Sequence, residues 1–137
     1  GHSIETIKTC EQEGFPADFY VKTFHHDKYW SANPVEHRTE FSVIGENVVD
    51  HNGYHDNIWD LYPSQTREYM NQIKKPWIAF KVMAAGAIEP REAFQYAFEG
   101  GADFICVGMF DFQVVEDVNI VNEVLANINL RHREWYS

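Results

Sequence analysis

The chain has 137 residues, of which 45% are hydrophobic and 15% aromatic, enough for the core of one domain or part of one. Its 21 acidic residues outweigh 11 Lys and Arg, and the formal charge of −10 argues against nucleic-acid binding and polybasic membrane docking. The longest apolar runs, at 82–88 and 104–110, are seven residues each, far short of the roughly 20 that span a membrane as a helix. Cys10 and Cys106 make no disulfide framework and no signal peptide opens the chain, so a reducing cytoplasm is the expected setting. Gly1-His2-Ser3 reads as a cloning remnant, leaving residues 4–137 as one partial domain.

Ile4, Ile7 and Cys10 recur at three-residue steps and predict a short helix closed by Gly14. Residues 17–24 predict a strand in which Phe19, Val21 and Thr23 face covering helices, while Tyr20, Lys22 and Phe24 point inward. The stretch 25–62 is too long for an ordinary loop. Within it, residues 41–49 suit a hairpin around Gly45-Glu46-Asn47. Residues 64–73 predict a second helix. Residues 76–84 form an apolar run between Lys74-Lys75-Pro76 and Gly86, the pattern of a buried strand. Alternation there turns Ile78, Phe80 and Val82 toward helices, and Ala79, Lys81 and Met83 inward.

Glu89-Pro90 opens a third helix with an apolar face of Ala93, Phe94, Ala97 and Phe98, and Gly100-Gly101 stops it. Residues 104–110 predict a third strand, with Cys106 as inert packing inside it. Val114, Val118, Val121, Leu125 and Ile128 then mark the inner face of a last helix. Strands alternating with helices over short connections predict an α/β chain with parallel strands.

Several segments resemble a known pattern. Ala84-Ala85-Gly86-Ala87-Ile88, then Gly100-Gly101-Ala102-Asp103, a strand and Val107-Gly108-Met109, resemble the last two βα units of a TIM barrel. Gly14-Phe-Pro-Ala-Asp-Phe-Tyr20, the run 79–86, residues 93–98 and Val107-Gly-Met-Phe110 are similar to a family of uncharacterised bacterial TIM-barrel proteins. That family is itself distantly similar to sugar isomerase and epimerase barrels. The resemblance implies the C-terminal βα units of a TIM-like barrel, with about three of its parallel strands. A full barrel has eight strands and about 250 residues. The sheet edges here are therefore expected to pair with more of a longer chain or with a second copy, in a homo-oligomer.

Lys81 is the sharpest candidate, because an inward lysine is costly unless it is paired or functional. A partly desolvated lysine serves as base, Schiff-base nucleophile or oxyanion partner; the plain alternative is a structural pair with a carboxylate. Lys22 shares the parity and makes a second catalytic candidate. Gly86 and Gly108 offer backbone N–H groups to a ligand, although Glu89 would oppose a phosphate. Tyr20 and Trp30 offer aromatic faces for a small-molecule substrate. His25, His26 and Asp27, with Asp50, His51, His55 and Asp56 further on, have the donor types of a Zn²⁺, Mn²⁺ or Mg²⁺ site, and equally of a polar surface loop. The expected function is a sugar or sugar-acid isomerase or epimerase, ahead of a lyase. The competing expectation is a non-catalytic assembly module.

Overall fold

The computed structural model describes residues 1–32, 34–38 and 60–136. Its elements in chain order are α1 (Ile4–Gln12), β1 (Tyr20–Thr23), α2 (Pro63–Met70), β2 (Trp77–Phe80), α3 (Pro90–Glu99), β3 (Phe104–Cys106) and α4 (Val114–Asn127). The three strands form one parallel sheet in the order β1-β2-β3. Tyr20 lies opposite Trp77 and Thr23 opposite Phe80; Ile78 lies opposite Phe104 and Phe80 opposite Cys106. The expected α/β chain of parallel strands is what the residues build. The hairpin expected at 41–49, and Asp50, His51, His55 and Asp56, lie outside the described residues.

Local chemistry sets the helix limits. Ser3 caps α1, its Oγ accepting from the Glu5 N–H at 3.2 Å, and Ile4 and Ile7 are buried. Both α2 and α3 begin on a proline, whose missing N–H is one of the groups a helix start leaves unbonded anyway. Ala93, Phe94, Ala97 and Phe98 are the buried face of α3, as the periodicity predicts. Gly101, at φ 114°, then turns the chain where a Cβ would run into the side chains of Asn71 and Arg133.

Two strand faces differ from the alternation expected. Trp77 and Ala79 are fully buried among the helices, and the Phe24 ring packs 4.9 Å from that of Trp77. The register puts Tyr20 and Lys22 on that same face. Val21 and Phe104 are exposed on the other face, where Ile78 and Phe80 are half-buried and Cys106 is exposed. Apolar residues occupy both parities of 77–82, so alternation alone could not choose between them. Cys106 is thus not the inert core thiol expected.

The last helix is also rotated from its expected phase. Val124 and Asp117 are buried and Val121 and Ile128 pack on the core, whereas Val114, Val118 and Leu125 are exposed. Valine, isoleucine and leucine occur all round α4, which blurs a periodic signal. Residues 107–110, expected to continue β3, leave the strand after Cys106. Among the described residues no helix is long and apolar enough to cross a membrane.

Candidate functional site

Loops that leave the C-terminal ends of β2 and β3 enclose a cleft of about 800 Å³. In open α/β sheets this edge carries the ligand sites, since the loops there are free to vary over a fixed scaffold. One wall is the β2–α3 connection and the other the β3–α4 connection.

The first wall is strained. Lys81, Ala84 and Ala85 have φ of 55°, 46° and 59°, in the left-handed region, followed by Gly86 at 88°. A non-glycine residue there costs about 1–2 kcal/mol. Lys81 therefore cannot extend the ladder, and β2 stops at Phe80. Bonds within the loop hold the turn: the N–H groups of Ala84, Gly86 and Ile88 donate to Lys81, Met83 and Met83 at 3.0, 2.9 and 3.1 Å. Val82, Ala84 and Ile88 are buried and anchor it. Buried side chains thus fix a backbone that would relax if it were free, and of its left-handed residues Lys81, Ala85 and Gly86 line the cleft.

The second wall is held by side chains. The Phe110 N–H donates to Gln113 Oε1 at 3.0 Å and the Phe112 N–H to Asp111 Oδ1 at 2.8 Å. Gly108 lines the cleft, and a Cβ added to it would meet nothing. Among charged side chains the cleft contains Lys81 and Glu89, and Gln113 adds an amide. Glu89 sits at the start of α3, where the helix dipole favours a negative charge.

The structure brings Lys81, Gly86 and Gly108 into one cleft, although Lys81 arrives there through a left-handed turn and not through strand alternation. Lys22 is elsewhere. Its side chain is fully buried, with Nζ donating to the Thr23 carbonyl at 2.7 Å and standing 3.5 Å from Asp60 Oδ1. Thr66 in α2 donates to the same Asp60 oxygen at 2.8 Å. Burial pushes the Lys22 ammonium down and the Asp60 carboxyl up, and in both it outweighs the attraction between them. Tyr20 is at the opposite end of the sheet, donating to Glu11 at 2.5 Å, and Trp30 is 87% exposed outside the cleft.

His25, His26 and Asp27 each have a separate engagement. His25 is buried, with Nδ1 at 2.8 Å from the His26 carbonyl and Nε2 without a partner, and burial pushes its imidazole down to about 4. His26 Nδ1 accepts the Lys28 N–H at 3.1 Å, while Nε2 lies 3.1 Å from Glu92. Arg38 holds Asp27 at 2.8 Å and keeps its carboxyl below the usual range against the opposing effect of burial. Among the described residues no three His, Cys, Asp or Glu side chains are placed to hold a metal ion.

Phe110, Gln113 and the exposed Cys106 are cleft residues the sequence reading missed. The available signal was Gly108: a glycine inside an apolar run often marks the end of regular strand. Nothing in the sequence signals the Lys22–Asp60 pair, whose members are separated by the long connection. No protein-family model, curated protein or solved structure matches this chain.

Proposed function

We propose that the chain provides the reaction edge of a barrel-type enzyme that moves a proton next to a carbonyl in a small acid, an isomerase or epimerase ahead of a lyase. The observation that carries this reading is Lys81, held in a left-handed backbone on the wall of the cleft that it shares with Glu89. The two charges divide the work. Glu89 takes the proton from the carbon beside the carbonyl, and the electron pair moves onto the carbonyl oxygen. The Lys81 ammonium offsets the charge that develops there. Where the deprotonated carbon carries a hydroxyl, return of the proton from Glu89 to the former carbonyl carbon, as the hydroxyl proton passes to the other oxygen, gives an isomer. An epimer forms when water supplies the proton from the opposite face and Glu89 releases its own to solvent. Ala85, Gly86 and Gly108 supply walls without bulky side chains, where a substrate can approach the protein backbone closely.

The test is proton exchange in D₂O, followed by NMR, across a panel of hydroxy, oxo and sugar acids. The expected result is loss of one carbon-bound proton signal, abolished by Lys81→Met and by Glu89→Gln. Exchange that survives both substitutions contradicts the assignment.

A second reading has its own support. Val21 and Phe104 are exposed on the open sheet face, and Val115 and Val118 on α4 are 73% and 50% exposed. Exposed apolar surface on two elements is what an assembly module presents to a partner. Light scattering at micromolar concentration separates the cases: assembly predicts a dimer or larger species whose mass falls on Val118→Lys.

A further inference from the structure

The polar side chains of the cleft are few. Among the described residues its charged or amide side chains are Lys81, Glu89 and Gln113, Cys106 adds a thiol, and the rest of the lining is mainly apolar side chains with polar backbone between them. Gln113 already gives its Oε1 to the Phe110 N–H. A polyhydroxylated sugar would set several of its hydroxyls against the apolar side chains of these walls, where they gain no partner. An apolar body with one or two polar handles fits better.

A second feature says what kind of body. The Phe110 and Phe112 rings stack with centroids 5.5 Å apart and planes 5° from parallel, though they are 69% and 77% exposed. The Phe110 N–H donates to Gln113 Oε1 and the Phe112 N–H to Asp111 Oδ1, which holds the backbone of the turn that carries the two rings. Phe112 backs the pair, and Phe110 lines the cleft. A planar ring entering the cleft can extend the stack by one member, in the offset geometry that aromatic pairs prefer.

We propose that the cleft takes an aryl-bearing carboxylic acid, its carboxylate toward Lys81 and its ring on Phe110. This rests on the reaction reading above and narrows its substrate. A singly charged carboxylate suits the site better than a phosphate dianion, because Glu89 shares the cleft with Lys81. Neither the Lys81 nor the Phe110 position alone selects an aryl acid. Their presence on opposite walls of one cleft does.

Isothermal titration of the full chain with phenylpyruvate, glucuronate, pyruvate and inorganic phosphate tests the proposal. Phenylpyruvate is expected to bind saturably and at least about tenfold more tightly than the other three, a difference of about 1.4 kcal/mol. Phe110→Ala should weaken it about fivefold, the loss of one aromatic contact, and Lys81→Met by at least as much. Phe110 is exposed, so the fold should tolerate its loss; circular dichroism checks this, and Phe110→Leu serves if alanine disturbs it. Glucuronate or phosphate binding as tightly as phenylpyruvate overturns the aryl proposal, as does an affinity indifferent to Phe110. If glucuronate binding depends on Lys81 and proton exchange persists, the reaction reading stands while this narrowing falls. If no probe binds and no proton exchanges, both fall.

Discussion

The two ends of the parallel sheet are built in opposite ways. At the N-terminal ends of the strands Asp103, Arg131, Arg133, Glu11 and Lys75 form close ion pairs. Asp103, directly before β3, accepts from the Trp77 N–H at 2.9 Å, from Arg131 at 2.7 Å and from the Tyr136 N–H at 2.9 Å, with Arg133 at 3.1 Å. Arg131 also donates to the carbonyls of Phe98, Gly101 and Ala102, and lies 3.5 Å from the Trp135 ring centroid. Nearby, Glu11 receives both Tyr20 and Lys75 at 2.5 Å, and Lys75 first, then Tyr20, holds its carboxyl down. The C-terminal ends carry three left-handed non-glycine residues, an open cleft and the unpartnered Nε2 of His25. The C-terminal end of β1 is paired as well, through Lys22–Asp60 and Arg38–Asp27, so strain and space sit in the loops after β2 and β3.

The sharpest way to break this contrast is at Asp103. Asp103→Ala removes the carboxylate between two buried guanidinium groups, leaving them backbone carbonyls as partners, and frees the start of β2. It should cost about 3 kcal/mol in chemical denaturation. A loss below about 1 kcal/mol would mean that the end clamp is ornamental. Lys22→Met comes next. It leaves Asp60 buried without its cation and should cost about 3 kcal/mol, with partial recovery in Lys22→Met/Asp60→Asn. If the double variant is no better than the single one, the pair is not the source of the loss.

Acid should separate the two ends as well. Since burial lowers the His25 imidazole in the folded chain to about 4, against about 6.5 when unfolded, the unfolded chain takes up a proton first as pH falls. The stability this residue supports is therefore complete above about pH 6.5 and falls away toward pH 4, by about 3 kcal/mol in all. His25→Gln should flatten the urea midpoint over that window; an unchanged slope would show that the ring protonates freely in the fold.

Legibility followed the same division. Helices with one apolar face, such as α3, could be read from spacing, and so could the parallel α/β plan, because period and punctuation agree there. Which face of β2 is buried could not, since apolar residues fill both parities of 77–82 and the choice is made by Phe24 and the α3 helix. Lys81 lies on the cleft wall, but the alternation that singled it out as inward-facing ends one residue before it. The left-handed turn that places it uses Ala84 and Ala85, and alanine gives no sequence warning of such a backbone. The Asp103 clamp was invisible because its arginines lie beyond the last helix and meet it only through the fold.

A smaller effect sharpens the comparison from the strained side. Ala85→Gly removes the Cβ that disfavours φ 59° and should raise stability by about 1 kcal/mol, the reverse of a glycine substitution in a relaxed loop. A decrease would mean that the turn is not strained at that residue.

Thermal melting of Asp103→Asn and Lys81→Met beside the parent chain tests the division most directly. Asp103→Asn removes the negative charge between two arginines and should lower the midpoint well beyond error. Lys81→Met deletes a charge from the cleft wall, keeps the side-chain length, and should lower the midpoint clearly less than Asp103→Asn does. A Lys81→Met midpoint that falls as far as that of Asp103→Asn would make Lys81 a fastening residue and contradict the account.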